Sequence, residues 1–354
     1  MKKKAKRSFL SSLFETRPVM LKVWAVILID VLLTGIVLVV FAYFDHVRPR
    51  PGVTGSIYRP SATATPAPAG SSDTAQQTPD ETPVPEGSGE FAIFDFEGVF
   101  TDGEVIATEN SYRSANISVT LSHRTASSPR KQSIYVEDIY VRSVEYIRAL
   151  FAKDTYGDNI YEKFMSMAER SNSVCSINTD FYGYANRPYG LVIRNGVLYR
   201  DTPSEEKSIL VLYKDGTVEM FPAGVTPDGQ ELIDKGAWQG LCFGPILLEN
   251  GQMMESYKDV GRDPRTIFGM VEPGHYVFVV IDGRQDDYAV GYNYKGEAIL
   301  MEDLNCQAAF NLDGGGTSQM SFGYDLTNHP FDNGRSTSDI LFVGELGCEE
   351  PYKQ

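Results

Sequence analysis

From Phe91 onward the chain is dominated by short runs in which apolar and polar residues alternate: NISVTLSHRT, IYVEDIYV, GLVIRNGVLYR, SILVLYKDGTVEMF and HYVFVVIDGR. A period of two places successive side chains on opposite faces of a strand. Glycine, asparagine, aspartate and proline bound these runs. Asn195-Gly196 and Asp215-Gly216 fall between pairs of them and predict hairpin turns, because both residue types tolerate positive φ. A helical period is clearest over residues 143–153 (SVEYIRALFAK), 159–170 and 297–305. The pattern predicts an α+β fold: one large domain over residues 91–354, with mixed or antiparallel sheets and a few packed helices.

The pattern before Phe91 is different. Residues 23–44 read VWAVILIDVLLTGIVLVVFAYF, a run of 22 residues with Asp30 as its one charge. That length suits a helix crossing a bilayer core. Lys2, Lys3, Lys4, Lys6, Arg7, Arg17 and Lys22 precede it, so residues 1–22 are expected to be a cytoplasmic basic tail and residues 23–44 a transmembrane signal anchor. No small-residue cleavage site closes the run as in a signal peptide. Asp30 marks either a helix–helix contact or a snorkelling side chain. Residues 45–90 are read as linker: within 51–90, 28 of 40 residues are Pro, Gly, Ser, Thr or Ala, too few large apolar groups to build a core. The expected location is the cell membrane, single-pass, N-terminus cytoplasmic and C-terminal domain extracellular.

Charge sharpens this division. Residues 1–50 hold nine Lys/Arg and three acids, whereas residues 51–354 hold 23 basic and 44 acidic residues. An acidic body lacks the positive footprint of a duplex-binding protein, so no nucleic acid is expected as partner. Cys175, Cys242, Cys306 and Cys348 fit no zinc spacing. They read as buried thiols, with disulfides as the alternative for an exported body.

Candidate chemistry gathers where apolar runs end in polar groups: SINTDFYGY from Ser176, DPRTIFG from Asp263, VVIDGRQ from Val279 and AFNLDGGGTSQM from Ala309. Strand ends are where rigid elements meet loops. Asp180, Asp282 and Asp313 are candidate carboxylates; Arg265 and Arg284 are planar forks for phosphate or carboxylate. Gly314, Gly315 and Gly316 let backbone N–H groups approach an anion. Taken singly, Asp282-Gly283 is a turn, Arg265 a surface ion pair and the glycine triplet a tight bend. Together they suit a phosphorylated substrate needing acid–base help. No P-loop, GxGxxG, HExxH, GxSxG or EF-hand pattern competes.

The ordered set INTDFYG, YGLVIRNGVLYR, FGPILLENG, DPRTIFGM, VVIDGRQ and AFNLDGGGTSQM resembles the phosphodiester glycosidase domain family, in a bacterial-type exported form, over about residues 135–343. The resemblance implies a hydrolase that cuts a sugar-1-phosphodiester of the GlcNAc-1-phosphate type at the anomeric C–O bond, in envelope or extracellular glycans. It implies Asp313, Asp282 and Asp180 as catalytic residues, and Asn178, Arg265, Arg284, Asn311, Gly314, Gly315, Gly316, Thr317 and Ser318 as substrate or phosphate ligands. Asp313 is expected to face the anomeric carbon, with Asp282 or Asp180 as base for water. Thr317 stands where the family has Ser, and Thr179 where it often has Gly. Expected partners are a glycan or glycolipid phosphodiester substrate and the membrane. A divalent cation, Ca²⁺, is the candidate cofactor, since aspartates suit a hard ion. The alternatives are a non-catalytic glycan-binding or exopolysaccharide-assembly module and a metal-dependent phosphodiesterase.

Overall fold

The computed structural model describes residues 25–40, 43, 50–54 (backbone alone), 89–183 and 190–347. The chain divides into two units, Met1–Pro49 and Arg50–Gln354. In the first, residues 25–40 are helical and their apolar side chains are exposed. Among the described residues no helix is long and apolar enough to cross a membrane. The span expected at 23–44 runs past the described helix at both ends, and the basic tail lies outside the described residues.

The second unit is built on three large sheets and a two-stranded one. The largest has nine strands, in spatial order Gln252–Met253, Ile246–Glu249, Ala308–Asn311, Arg265–Glu272, His275–Ile281, Gln132–Val141, Ile117–Ala126, Ser111–Arg113 and Ile106–Ala107. A five-stranded sheet runs Asp325–Leu326, Met320–Phe322, Cys175–Asn178, Asp339–Val343 and Ile147–Phe151; another runs Val197–Thr202, Gly190–Arg194, Ala237–Phe243, Ser208–Tyr213 and Val218–Phe221. Every strand pair among the described residues is antiparallel. The expected α+β class with largely antiparallel sheets is what the chain adopts. Arg50–Thr54, inside the segment read as linker, is a strand paired with Thr155–Asp158.

Period two explains the packing. Along His275–Ile281, Tyr276, Phe278 and Val280 point into a core shared by all three sheets, while Val277, Val279 and Ile281 point to the opposite face. There they meet Ala298, Leu300 and Met301 of the helix Tyr294–Asp303. Both faces are covered, so the strand is apolar throughout. Gly269 permits the close approach: a Cβ there would lie 2.7 Å from Val277 Cγ2 and 2.8 Å from Cys306 Sγ. The other two sheets repeat the plan with the helices Phe164–Ser171 and Gly229–Asp234.

Two expectations fare differently. Asn195 and Gly196, at φ 53° and 76°, form the predicted two-residue hairpin turn. Residues 143–153, read as helical, are instead a 3₁₀ turn, the strand Ile147–Phe151 and a second 3₁₀ turn. IRALF is buried at all five positions, with Ile147 in the shared core and Leu150 under the helix Phe164–Ser171. Two-sided burial produced a run whose spacing imitates a helix, and strand pairing to Asp339–Val343 decides its form. Cys175, Cys242 and Cys306 are buried free thiols; Cys348 lies outside the described residues.

Candidate active site

Antiparallel register brings the polar strand ends together. Arg265 opens its strand opposite Ile281, and Ile267 pairs with Asn311, so residues 263–265, 282–284 and 312–316 converge on one edge. Asp313 N–H donates to Thr179 O at 3.1 Å, which joins the end of Cys175–Asn178 to the same edge.

Asp313 lies at the centre. Thr317 Oγ1 and Arg335 Nη2 (3.0 Å) donate to its Oδ2, and among the described residues no hydrogen bond occupies its Oδ1. The side chain is 13% exposed. Burial pushes its pKa above the usual carboxylate value, against the opposing pull of Thr317 and Arg335. Asn178 fixes the loop from below: its Nδ2 donates to Asp313 O at 2.7 Å, while its Oδ1 accepts from Thr266 Oγ1 and Gln319 N. Thr317 also reaches Gly314 O at 2.7 Å.

The glycine run has a steric cause. Gly315 sits at φ +68°, and a Cβ there would lie 3.1 Å from Arg284 Nη1; a Cβ on Gly314 would lie 2.7 Å from Pro264 O. Gly315 is required by its positive φ and Gly314 by the close approach of Pro264 O. Gly316 has room for a Cβ, 3.6 Å from that of Arg335. Gly315 N–H donates to Pro264 O at 2.9 Å, so this amide closes the turn and is not an anion donor as expected.

Arg284 and Arg335 stand on either side of that turn, with side chains 44% and 50% exposed. Arg284 donates from Nε to Asp263 Oδ1 at 2.8 Å and lies over the Phe331 ring; Arg335 lies over the Phe181 ring. Planar cations stacked on rings are pre-organised for an oxyanion.

Asp282 is 1% exposed. Its Oδ1 accepts from Asn328 Nδ2 (2.7 Å), and its Oδ2 accepts from His329 N and Tyr288 Oη (both 3.0 Å). Burial raises its pKa, and these three donors oppose the rise. The Asn328 amide also reaches Ser318 O at 3.1 Å, connecting Asp282 to the segment that follows the glycine turn.

Four more predicted residues depart from their expected roles. Asp180 is locked between Arg194 Nη2 and Cys242 N, each 2.7 Å away, and its charge is paired with that buried guanidinium. Arg194 bridges it to Asp339, also 0% exposed, at 2.7 Å. Arg265 is likewise buried: its guanidinium donates to Tyr292 O and Gly261 O, stacks on Tyr294 and lies 3.0 Å from Glu297 Oε1. Its Nε hydrogen points to Tyr292 O, so the carboxyl of Glu297 faces the guanidinium with no hydrogen bond among the described residues. Asn311 donates to Gly244 O at 2.7 Å, and among the described residues Ser318 Oγ is buried without a hydrogen-bond partner. Among the described residues no group of three His, Cys, Asp or Glu is placed to hold a metal ion. A cleft of about 440 Å³ lined by Met253, Tyr257, Asn293 and Tyr294 contains none of the predicted residues.

Comparison with known proteins identifies a domain over residues 171–344. Residues 171–344 match the phosphodiester glycosidase family. The chain carries a phosphodiester glycosidase domain. It is 30% identical over 197 residues to the SPbeta prophage-derived uncharacterized protein YomE of Bacillus subtilis (strain 168), covering 53% of this chain and 30% of that one. The chain thus spans about a third of that relative's length. Its fold is similar to the catalytic domain of zebrafish N-acetylglucosamine-1-phosphodiester alpha-N-acetylglucosaminidase, solved auto-inhibited by its pro-peptide. The TM-score is 0.52 at 19% identity, over 65% of this chain and 83% of the other.

Within the phosphodiester glycosidase domain, both departures from the family pattern have a visible use. Thr179 donates its hydroxyl to Asp339, adding a partner to the buried Arg194 cluster. Thr317 keeps the hydroxyl that holds Asp313. Arg335, Asn328 and Tyr288 escaped the sequence reading. Arg335 had a signal, a cation directly after an Asn333-Gly334 turn; Asn328 and Tyr288 lie in loops with none.

Proposed function

We propose that the protein hydrolyses a sugar-1-phosphodiester, of the N-acetylglucosamine-1-phosphate type, at the anomeric C–O bond. The carrying observation is Asp313: one oxygen is held by Thr317 and Arg335, the other is open, and exposed arginines flank it. A carboxylate so placed stabilises the positive charge that develops at C1 as the glycosyl bond breaks. Arg284 and Arg335 take the phosphate oxygens. Water forms its bond to C1 and gives its proton to Asp282. The C1–O electron pair leaves with the phosphate monoester, a weak base that needs little protonation. Asp282 is preferred to Asp180 because its three donors are neutral, whereas Asp180 is ion-paired with the buried guanidinium of Arg194.

The site of action is proposed to be the outer face of a membrane. This rests on the 22-residue apolar run and the basic residues before it. The test is incubation of the full chain with a panel of GlcNAc-1-phosphodiesters, with and without chelator. Release of reducing sugar, lost in Asp313→Asn, supports the reading. Glycan binding without turnover would move the assignment to a binding module. In ¹⁸O-labelled water, label found in the phosphate would move it to a phosphodiesterase.

A further inference from the structure

A chain of hydrogen bonds leaves the site in a direction the proposed reaction does not use. Tyr288 Oη donates to Asp282 Oδ2 at 3.0 Å. Ser133 Oγ lies 2.8 Å from Tyr288 Oη, and His123 Nε2 lies 2.8 Å from Ser133 Oγ. His123 is exposed, whereas Ser133 is 0% exposed. The four groups therefore join a buried carboxyl to the surface.

The sheet builds this path. Asp282 ends the strand His275–Ile281 and donates its backbone N–H to Ser133 O at 3.0 Å. Ser133 lies on the neighbouring strand Gln132–Val141, and His123 on the next, Ile117–Ala126, opposite Tyr135. The His123 ring stacks on Tyr135 at 4.2 Å and 4° between planes, which aims Nε2 at Ser133. Tyr135 Oη is 3.1 Å from Tyr288 Oη, giving that hydroxyl a second neighbour. The edge of the His329 ring packs on Tyr288. Donor order is consistent throughout. With Tyr288 donating to an ionised Asp282, Ser133 donates to Tyr288 and His123 Nε2–H donates to Ser133.

We propose that His123, Ser133 and Tyr288 form a proton relay that exchanges the proton of Asp282 with solvent. The inference rests on Asp282 being the base of the proposed reaction. When Asp282 has taken the proton of the attacking water, it passes that proton to Tyr288 Oη. For this the two hydroxyls turn outward and His123 takes its Nδ1–H tautomer, so that Tyr288 gives its own proton to Ser133 Oγ and Ser133 gives its own to the free Nε2 of His123. His123 then releases its Nδ1 proton to bulk water, which leaves Nε2–H facing Ser133 again and Asp282 a carboxylate. Three hydroxyl or imidazole groups each gain and lose one proton, so the relay ends as it began. Such a route resets the base while substrate or product still blocks its other side.

Two readouts test the relay in the full chain. The first needs no substrate: solvent exchange of the Tyr288 hydroxyl proton, followed by NMR with ¹³C-tyrosine. Exchange is expected to slow by about tenfold or more in His123→Ala and Ser133→Ala, with added imidazole restoring the first alone. His123→Phe keeps a ring on Tyr135 without the nitrogen and should slow exchange equally. Unchanged exchange in both alanine variants, or equal imidazole effects on both, overturns the relay. The second is turnover of a sugar-1-phosphodiester in weak buffer, where His123→Ala should lower kcat, leave KM, and recover with imidazole. Slowed exchange with undiminished kcat would overturn the relay's part in the reaction. Wild-type turnover in Asp282→Asn would instead refute the assignment of Asp282 as base, leaving the exchange result to stand by itself.

Discussion

Glu297→Gln tests whether Arg265 is a structural residue, as its surroundings imply, and not a phosphate ligand. Glu297 is 0% exposed, none of its carboxyl oxygens is hydrogen-bonded, and Arg265 faces it. Burial raises its pKa from 4.5 to about 8, more than the guanidinium of Arg265 lowers it. A carboxyl whose folded pKa is raised is favoured in its neutral form by folding. Its contribution to stability is therefore complete below pH 4.5 and is lost as the pH rises through about 8. At ~1.4 kcal/mol per decade the full loss is about 5 kcal/mol. The amide mimics the neutral acid at every pH. Glu297→Gln should match wild type at about pH 5 and exceed its stability increasingly up to about pH 9, by up to ~5 kcal/mol. Urea midpoints, read from the fluorescence of buried Trp238, supply the measurement. Parallel pH profiles for the two proteins would refute the reasoning, and would mean that Glu297 is ionised as the true partner of Arg265.

Other perturbations separate the site from its scaffold. Asp313→Asn should lower turnover by about 10²-fold or more with little change in the urea midpoint, since the amide can still accept from Thr317 and Arg335; full turnover would exclude Asp313 from the chemistry. Arg284→Ala and Arg335→Ala should each lower kcat/KM by about 10- to 100-fold, the usual range for a lost charged hydrogen bond, and an unchanged value would remove that arginine from the phosphate site. Arg194→Met should destabilise the fold by about 3–5 kcal/mol, because Asp180 and Asp339 would stay buried without their cation; a loss under about 1 kcal/mol would show that the two carboxyls neutralise each other by sharing a proton.

The sheets were legible because their strands obey period two and end in glycine-bearing turns; the hairpin at Asn195-Gly196 is the clearest case. Residues 143–153 misled because a strand buried on both faces leaves no alternation to read. The converging strand ends at Asp282 and Asp313 were also legible, as carboxylates closing apolar runs. Their division of labour was not. Asp180 gives the same local signal, and only the burial of Arg194 against it, from a strand of another sheet, distinguishes structure from chemistry. The same holds for the arginines: Arg265 was singled out and Arg335 passed over, yet Glu297 and Tyr294 enclose the first while the second stays half exposed.

Physical surroundings thus sort chemically equal groups into three conditions. Asp180 and Asp339 share one buried guanidinium, which pairs with both carboxyls inside the fold. Asp282 has three donors and a path to the surface, so its proton can move without the side chain moving. Asp313 has a fixed oxygen and an open one, the condition for meeting a developing positive charge. A carboxylate saturated by partners gains little from a transition state, because no new interaction forms there. One held rigidly on a single side gains most, because its orientation is set before the substrate arrives. By that criterion Asp313 is the carboxylate best placed to stabilise a developing positive charge, and Gly315, at φ +68°, lets the turn after it lie against Arg284.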